Sequence, residues 1–215
     1  TSLNRPTTLY EYNIATEKIV KLKEQEVPSG FNPEDYTVER IWATAKDGVE
    51  VPMALVYKKG LKKDGTNPAL IYSYGSYGMS SDVYFSASIY SLIDRGFVYA
   101  IAQIRGGSDL GEQWYEDGKL LNKKNSFSDF ISCSEKLIND GYTSSNKLAA
   151  MGGSAGGLLM GAVVNSRPDL YQTIVSQVPF VDVINTMLDD SLPLTTGEYE
   201  EWGNPNVEEY YNYIL

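Results

Sequence analysis

Leu148-Ala149-Ala150-Met151-Gly152-Gly153-Ser154-Ala155-Gly156-Gly157-Leu158-Leu159 is the stretch on which the fold turns. An apolar run enters it, an apolar run leaves it, and Gly152-Gly153-Ser154-Ala155-Gly156 between them satisfies Gly-x-Ser-x-Gly. A serine in this setting sits at the tip of an abrupt strand-to-helix turn, in a strained backbone conformation. Glycines two before and two after it remove side chains that would collide where strand and helix pass closely. The pattern therefore predicts a strand over 147–151 running into Gly152 and a helix over 156–165. It makes Ser154 the candidate nucleophile. The backbone N–H of Ala155, at the helix N-terminus, is a candidate donor to an anion forming above Ser154. A serine hydroxyl is a poor nucleophile until a positioned base takes its proton, and in the Ser-His-Asp arrangement that base is an imidazole. The 215 residues contain no histidine. The sequence carries a nucleophile without its base.

On both sides of this turn β and α segments alternate. Strands are expected over 69–74, 97–103 and 173–178, and helices over 83–94, ended by Arg95-Gly96, and 126–139, closed by Gly141. Alternation of this kind implies an α/β fold with a mostly parallel sheet and helices on both faces. Its chemistry-bearing loops lie at the carboxyl ends of the strands. Earlier in the chain, 38–45 and 51–57 read as two strands joined by Lys46-Asp47-Gly48, with the Asp-Gly hairpin signal. A polar connector, expected to be flexible, spans 59–67. Residues 7–22 read as a separate, peripheral hairpin turning at Ala15-Thr16-Glu17, and Ser29 to Asp35 as a joint. The expected division is 1–35 and 36–215. Val207 to Leu215 reads as a helix with Tyr210, Tyr211 and Ile214 uncovered, so the chain is expected to stop in mid-domain.

Hydrophobic residues make up 42% of the chain and charged residues 21%, which suits a globular domain with one full-sized core. No apolar run is long enough to span a bilayer, and the start, Thr1-Ser2-Leu3, has no signal-peptide pattern. The net charge of −10 comes without a basic stripe, which argues against a nucleic-acid partner. Acidity of this size reads as ordinary solubility or as attraction for cationic substrates. A metal site is not credible without histidine or paired cysteines, and no cofactor is expected. The single cysteine, Cys133, reads as a small buried hydrophobe. In Ile71-Tyr72-Ser73-Tyr74-Gly75-Ser76-Tyr77-Gly78 a tyrosine hydroxyl could supply a second oxyanion donor; the alternative is that the three tyrosines are core and rim aromatics.

Tyr-Gly-Ser-Tyr-Gly (74–78), Arg-Gly-Gly (105–107), Gly-Gly-Ser-Ala-Gly-Gly (152–157) and Arg-Pro-Asp-Leu (167–170), in this order, resemble the prolyl oligopeptidase family of serine peptidases. Gln-Val-Pro-Phe-Val-Asp-Val (177–183) and Pro-Leu-Thr-Thr-Gly-Glu-Tyr-Glu-Glu-Trp-Gly-Asn-Pro (193–205) resemble its oligopeptidase B branch, also called protease II. The resemblance implies an α/β-hydrolase domain joined to a β-propeller. Residues 1–35 are then the end of the propeller with its linker, and 36–215 an incomplete hydrolase domain. Ser154 matches the nucleophile, and Tyr74 the tyrosine whose hydroxyl joins the Ala155 N–H in the oxyanion hole. Tyr72 and Tyr77 are left as packing residues. The branch cleaves short peptides after arginine or lysine, and a buried guanidinium needs a carboxylate partner. Glu198 and Glu200 match the acids of that specificity site, with Glu198 expected at the first subsite. Asp82 matches an acid of a second basic subsite. The branch can carry another acid two residues on, where this chain has Tyr84, which argues against a strong preference for paired basic residues.

The resemblance also implies that the triad aspartate and histidine lie beyond Leu215. The expected partners are short basic peptides and the rest of the parent polypeptide, the expected compartment is the cytoplasm or else the periplasm, and the isolated chain is expected to be inactive. Two other readings share these residues: an esterase or acyl-aminoacyl peptidase on the same fold, and a hydrolase-like binding module without a base. Arg105 reads as a structural residue, and Phe180 and Trp202 as packing.

Overall fold

A computed structural model describes residues 2–28 and 30–215. Strands β1 (Thr8–Asn13) and β2 (Lys18–Glu24) pair antiparallel in a sheet of their own, with exposed Leu9 and Ile19. Of the joint that follows, Ser29 lies outside the described residues. Strands β3 (Tyr36–Thr44) and β4 (Glu50–Lys58) form an antiparallel hairpin with Thr44 opposite Glu50. The Asp-Gly signal works as expected: Gly48 takes the left-handed conformation at φ +85°, and the Ala45 amide bonds the Val49 carbonyl at 2.8 Å.

The rest of the chain supplies β5 (Ala69–Tyr72), α1 (Tyr90–Ile93), β6 (Val98–Ala102), α2 (Glu112–Glu116) and α3 (Lys124–Asn139). These are followed by β7 (Leu148–Gly153), α4 (Ala155–Ser166), β8 (Thr173–Gln177), α5 (Val183–Leu188), α6 (Thr195–Trp202) and α7 (Glu208–Ile214). The six strands from β3 onward form one sheet in the order β3-β4-β6-β5-β7-β8. The last four in that order run parallel, and β4 meets β6 antiparallel.

Alternate residues along each strand serve opposite faces. Met53, Leu55, Ile71, Ala100, Leu148 and Ala150 meet Phe130, Cys133 and Leu137 of α3 and Leu159, Met160 and Val163 of α4. On the other face Ala54, Val56, Leu70, Tyr99 and Ile101 meet Tyr90 and Ile93 of α1 together with Phe31 and Phe85. Each fully buried large side chain contributes about 1.5–3 kcal/mol, so both faces bind the sheet firmly. A third cluster, Ala155, Val183, Met187 and Trp202 with Tyr74 and Phe180 against it, seats α5 and α6 beside the strand-to-helix turn. No helix among the described residues is long and apolar enough to cross a membrane.

Two expectations need correction. The helix expected over 83–94 is only Tyr90–Ile93. Its first half gives up helical hydrogen bonds because Phe85 is drawn into an aromatic cluster with Phe31 and Tyr90, at centroid distances of 5.0 and 5.2 Å. The serines there bond locally instead, Ser86 to Ser88 at 3.0 Å and Ser91 to the Ser88 carbonyl at 2.9 Å. The polar connector 59–67 is tied down rather than loose: the Gly65 amide donates to the Gly141 carbonyl at 2.8 Å, and Thr143 donates to the Asn67 carbonyl at 2.8 Å.

Candidate active site

Ser154 stands at the junction of β7 and α4 with φ +56° and ψ −118°, a conformation that L-residues other than glycine rarely adopt. The surrounding chain enforces it. The Ser154 amide donates to the Gln177 carbonyl at 2.9 Å, and its carbonyl accepts from Phe180 N–H at 3.0 Å and Gly157 N–H at 2.8 Å. The glycines leave the room this requires. A Cβ on Gly152 would lie 2.2 Å from the Gly156 carbonyl oxygen, one on Gly156 2.9 Å from the Ser73 oxygen, and one on Gly157 2.5 Å from Pro179 Cα. The serine side chain is exposed. Ala155 is buried as the first residue of α4, and among the described residues no acceptor takes its amide hydrogen.

Tyr74 follows the carboxyl end of β5, the neighbour of β7, which places its phenol at the turn. Burial raises the phenol above its ordinary pKa, a hydrogen bond from Ser154 opposes that, and the charges of Glu198 and Glu201 add to the rise. The hydroxyl is thus fully protonated at neutral pH, as a donor must be. The residues by themselves left open which tyrosine of the loop faces the serine, and the resemblance named Tyr74; the structure packs Tyr74 against the cluster containing Ala155. Tyr72 packs against the α1 face of the sheet.

Tyr77 does more than pack. Its hydroxyl donates to Glu198 Oε2 at 2.6 Å, and Trp202 Nε1 donates to the same oxygen at 3.0 Å. Its ring lies 6.3 Å from that of Tyr74. Burial and the bonded carboxylate push the Tyr77 phenol far above its usual range, so it remains a donor to Glu198. The half-buried Glu198 is thus hydrogen-bonded to Tyr77, whose ring neighbours that of Tyr74, and Tyr74 packs against the cluster containing Ala155, the residue after Ser154. Glu200, two residues along α6, is exposed and makes no hydrogen bond or ion pair among the described residues. Asp82 is also exposed, on a cavity of about 520 Å³ that it lines with Tyr72, Tyr74, Tyr84, Tyr99 and Met151. The structure therefore brings Ser154, Ala155, Tyr74 and Glu198 together, sets Asp82 on the Tyr74 cavity, and leaves Glu200 apart.

Two residues that the sequence reading did not single out stand directly behind this group. Glu201, 3% exposed, accepts from Tyr77 N–H at 3.1 Å and from Tyr115 OH at 2.8 Å. Lys123 Nζ donates to the Gly75 carbonyl at 2.6 Å and to Ser76 Oγ at 2.5 Å, and lies 3.5 Å from Glu201. A signal for Glu201 was present, since Glu198, Glu201 and Trp202 share one helical face at i, i+3 and i+4. Lys123 gave none, because it sits in the polar run Asn122-Lys123-Lys124-Asn125, which reads as solvated surface. Arg105 is buried and bonds Asp129 through two nitrogens, at 2.9 and 2.6 Å, with Asp47 on a third at 2.7 Å. Phe180 and Trp202 pack with ring centroids 5.4 Å apart and planes tilted by 52°, the latter 4% exposed.

A family model, Peptidase_S9, described as the prolyl oligopeptidase family, matches residues 83–215. The chain belongs to the prolyl oligopeptidase family. Its membership is consistent along the rest of the chain as well. Dipeptidyl aminopeptidase BI of Pseudoxanthomonas mexicana is 54% identical over 100% of this chain and 30% of its own length. Protease 2 of Moraxella lacunata is 47% identical over 99% of this chain and 31% of its own length. Among solved structures, oligopeptidase B from Leishmania major superposes with a TM-score of 0.94 at 50% identity, over 100% of this chain and 30% of that one. The chain thus spans about a third of the length of these members of the prolyl oligopeptidase family.

Proposed function

We propose that the full-length protein is a serine endopeptidase of the oligopeptidase B kind, cleaving short peptides after arginine or lysine. The observation that carries the reading is the grouping at the turn of Ser154: Tyr74 packs against Ala155 and Gly156, and Tyr77 beside it holds Glu198. Ser154 Oγ attacks the scissile carbonyl as its proton passes to a base outside these residues; the C–N bond then breaks, the amine leaves with that proton, and water later hydrolyses the acyl-enzyme, while the Ala155 N–H and the Tyr74 hydroxyl donate to the oxyanion that develops. Glu198 takes the charge of the basic side chain; its Oε2 is already engaged by Tyr77 and Trp202, which fix the carboxylate for a guanidinium or ammonium arriving at the remaining oxygen. Asp82 serves a second cationic group of the peptide. No histidine exists among the 215 residues, so the base for Ser154 belongs to the remaining polypeptide and this segment alone hydrolyses nothing.

The test is hydrolysis of N-acylated arginine amides by the full-length protein, compared with otherwise identical leucine amides and short-chain esters. Preference for arginine that disappears in Glu198→Gln supports the reading; equal rates on arginine and leucine amides overturn it. A second reading is release of dipeptides from a free N-terminus. It is favoured by the similarity to the Pseudoxanthomonas protein, which is named a dipeptidyl aminopeptidase. Cleavage of unblocked but not acylated arginine substrates would select it. We place the protein in the cytoplasm, with the periplasm as the alternative that cell fractionation would reveal.

A further inference from the structure

The loop that presents Tyr74 has few backbone bonds of its own, the Gly78 amide donating to the Gly106 carbonyl and the Met79 amide to the Ser76 carbonyl, both at 3.0 Å. Gly75, Tyr77 and Gly78 all have positive φ, at +71°, +59° and +63°, and the tyrosine among them is strained. The segment has left β5, so no strand partner takes its carbonyls and amides. Two charged side chains do so from inside the protein. The Lys123 ammonium has three hydrogens and three neighbours: the Gly75 carbonyl, Ser76 Oγ and Glu201 Oε1. The same Glu201 oxygen accepts the Tyr77 amide, and its other oxygen is fixed by Tyr115. The two side chains are 7% and 3% exposed. Neither contacts Ser154, and the mechanism above uses neither.

A buried ion pair is a costly way to fill space, since apolar side chains of the same volume are usually as stable or more so. What such a pair supplies and apolar residues cannot is a set of directional bonds. Here every one of those bonds ends on residues 75–77 or on the group that steadies Glu201. We infer that Lys123 and Glu201 are positioning residues for the Tyr74 hydroxyl: they clamp the backbone immediately after it and so set the oxyanion site. The inference rests on the reading of Tyr74 as an oxyanion donor. Because Glu201 lies on α6, the same helix that offers Glu198 to the substrate's charge also holds the loop that acts on its carbonyl. Desolvation pulls the Lys123 pKa down to about 8 in spite of Glu201, a further sign that the pair is kept against its cost.

The experiment uses the full-length protein with arginine-amide substrates and four variants: Lys123→Met, Glu201→Gln, Tyr74→Phe and the double variant Lys123→Met with Tyr74→Phe. Loss of one oxyanion donor costs on the order of 10²–10³ in kcat. Lys123→Met is expected to lower kcat about 10–100-fold with KM within about twofold, and Glu201→Gln to act in the same direction. In the Tyr74→Phe background, Lys123→Met should cost under about threefold more, because the donor it positions is already gone. A residue that merely supported the fold would cost the same factor in both backgrounds, and that result overturns the inference. Unchanged kcat in folded Lys123→Met or Glu201→Gln overturns it as well. Should Lys123→Met not fold, Glu201→Gln, alone and combined with Tyr74→Phe, reads the same cycle. If Tyr74→Phe alone leaves kcat unaltered, the oxyanion reading itself has failed and the inference falls with it, an outcome visible in that single variant.

Discussion

Gly152→Ala against Gly153→Ala separates the two glycines before Ser154, of which only Gly152 occupies a glycine position of Gly-x-Ser-x-Gly. A Cβ on Gly152 would stand 2.2 Å from the Gly156 carbonyl oxygen and 2.7 Å from its carbon, both in the backbone of α4. Reaching an ordinary contact of 3.4 Å requires strand and helix to separate by about 1.2 Å. No side-chain rotation can relieve the clash. Overpacking of this kind costs about 1–3 kcal/mol. The larger effect is on rate, because a displacement of about 1 Å at the reacting group costs on the order of 10²-fold. A Cβ on Gly153 meets nothing closer than the Gln177 carbonyl at 3.5 Å, so Gly153→Ala should stay within about 0.5 kcal/mol and a few-fold in rate. Urea denaturation and arginine-amide hydrolysis by the full-length protein, with labelling of Ser154 by a phosphonate ester, would measure both. Equal losses in the two variants would show that backbone clearance is not what the motif's glycines provide. Full activity in Gly152→Ala would refute the argument outright.

Three further outcomes are expected. Replacing Arg105 by Met leaves the fully buried Asp129 carboxylate without its partner and should destabilise by about 3–5 kcal/mol in urea titration, while Asp47→Asn, at the half-exposed end of the same network, should cost under about 1 kcal/mol. Glu198→Gln should lower kcat/KM for arginine amides by about 10–100-fold, and the solvent-facing Glu200→Gln by less than about fivefold, in steady-state assays. Lys123 titrates near 8 when folded and near 10.5 when unfolded, so between those values the unfolded chain holds the extra proton and stability rises with pH, by at most about 1.4 kcal/mol per unit. Comparing the pH slopes of unfolding for wild type and Lys123→Met isolates this contribution, and equal slopes from pH 8 to 10 would refute it.

The features legible in the sequence are those whose cause is local. The strand-to-helix turn could be placed because Gly152, Ser154 and Gly156 state a steric requirement and the apolar runs beside them state two periods. The β3–β4 hairpin was announced by Asp47-Gly48. Residues 83–94 misled because Phe85, Ile89 and Ile93 imitate a helical stripe, whereas Phe85 answers to Phe31 more than fifty residues earlier. At the candidate site, Ser154 was singled out by Gly-x-Ser-x-Gly in its strand-to-helix context, and Tyr74 and Glu198 by the resemblance of motifs. The network that holds them was not, because Lys123 and Glu201 acquire their meaning from burial, and burial at those positions depends on how α3 and α6 close over the Tyr74 loop. Tyr77 was misjudged for the same reason: an aromatic beside two glycines reads as a rim residue until its hydroxyl is seen on Glu198.

The bonds that pin the serine also carry an order of events. Ser154 is held in its unfavourable backbone state from the carboxyl end of β8 and just beyond it, by the Gln177 carbonyl and the Phe180 amide. Those groups leave the ribosome more than twenty residues after the serine does. Until β8 has emerged and docked on β7, residue 154 is free to relax into an ordinary conformation in which its hydroxyl is not presented. The strained state of the nucleophile is therefore completed only by a strand pairing made with chain that follows it.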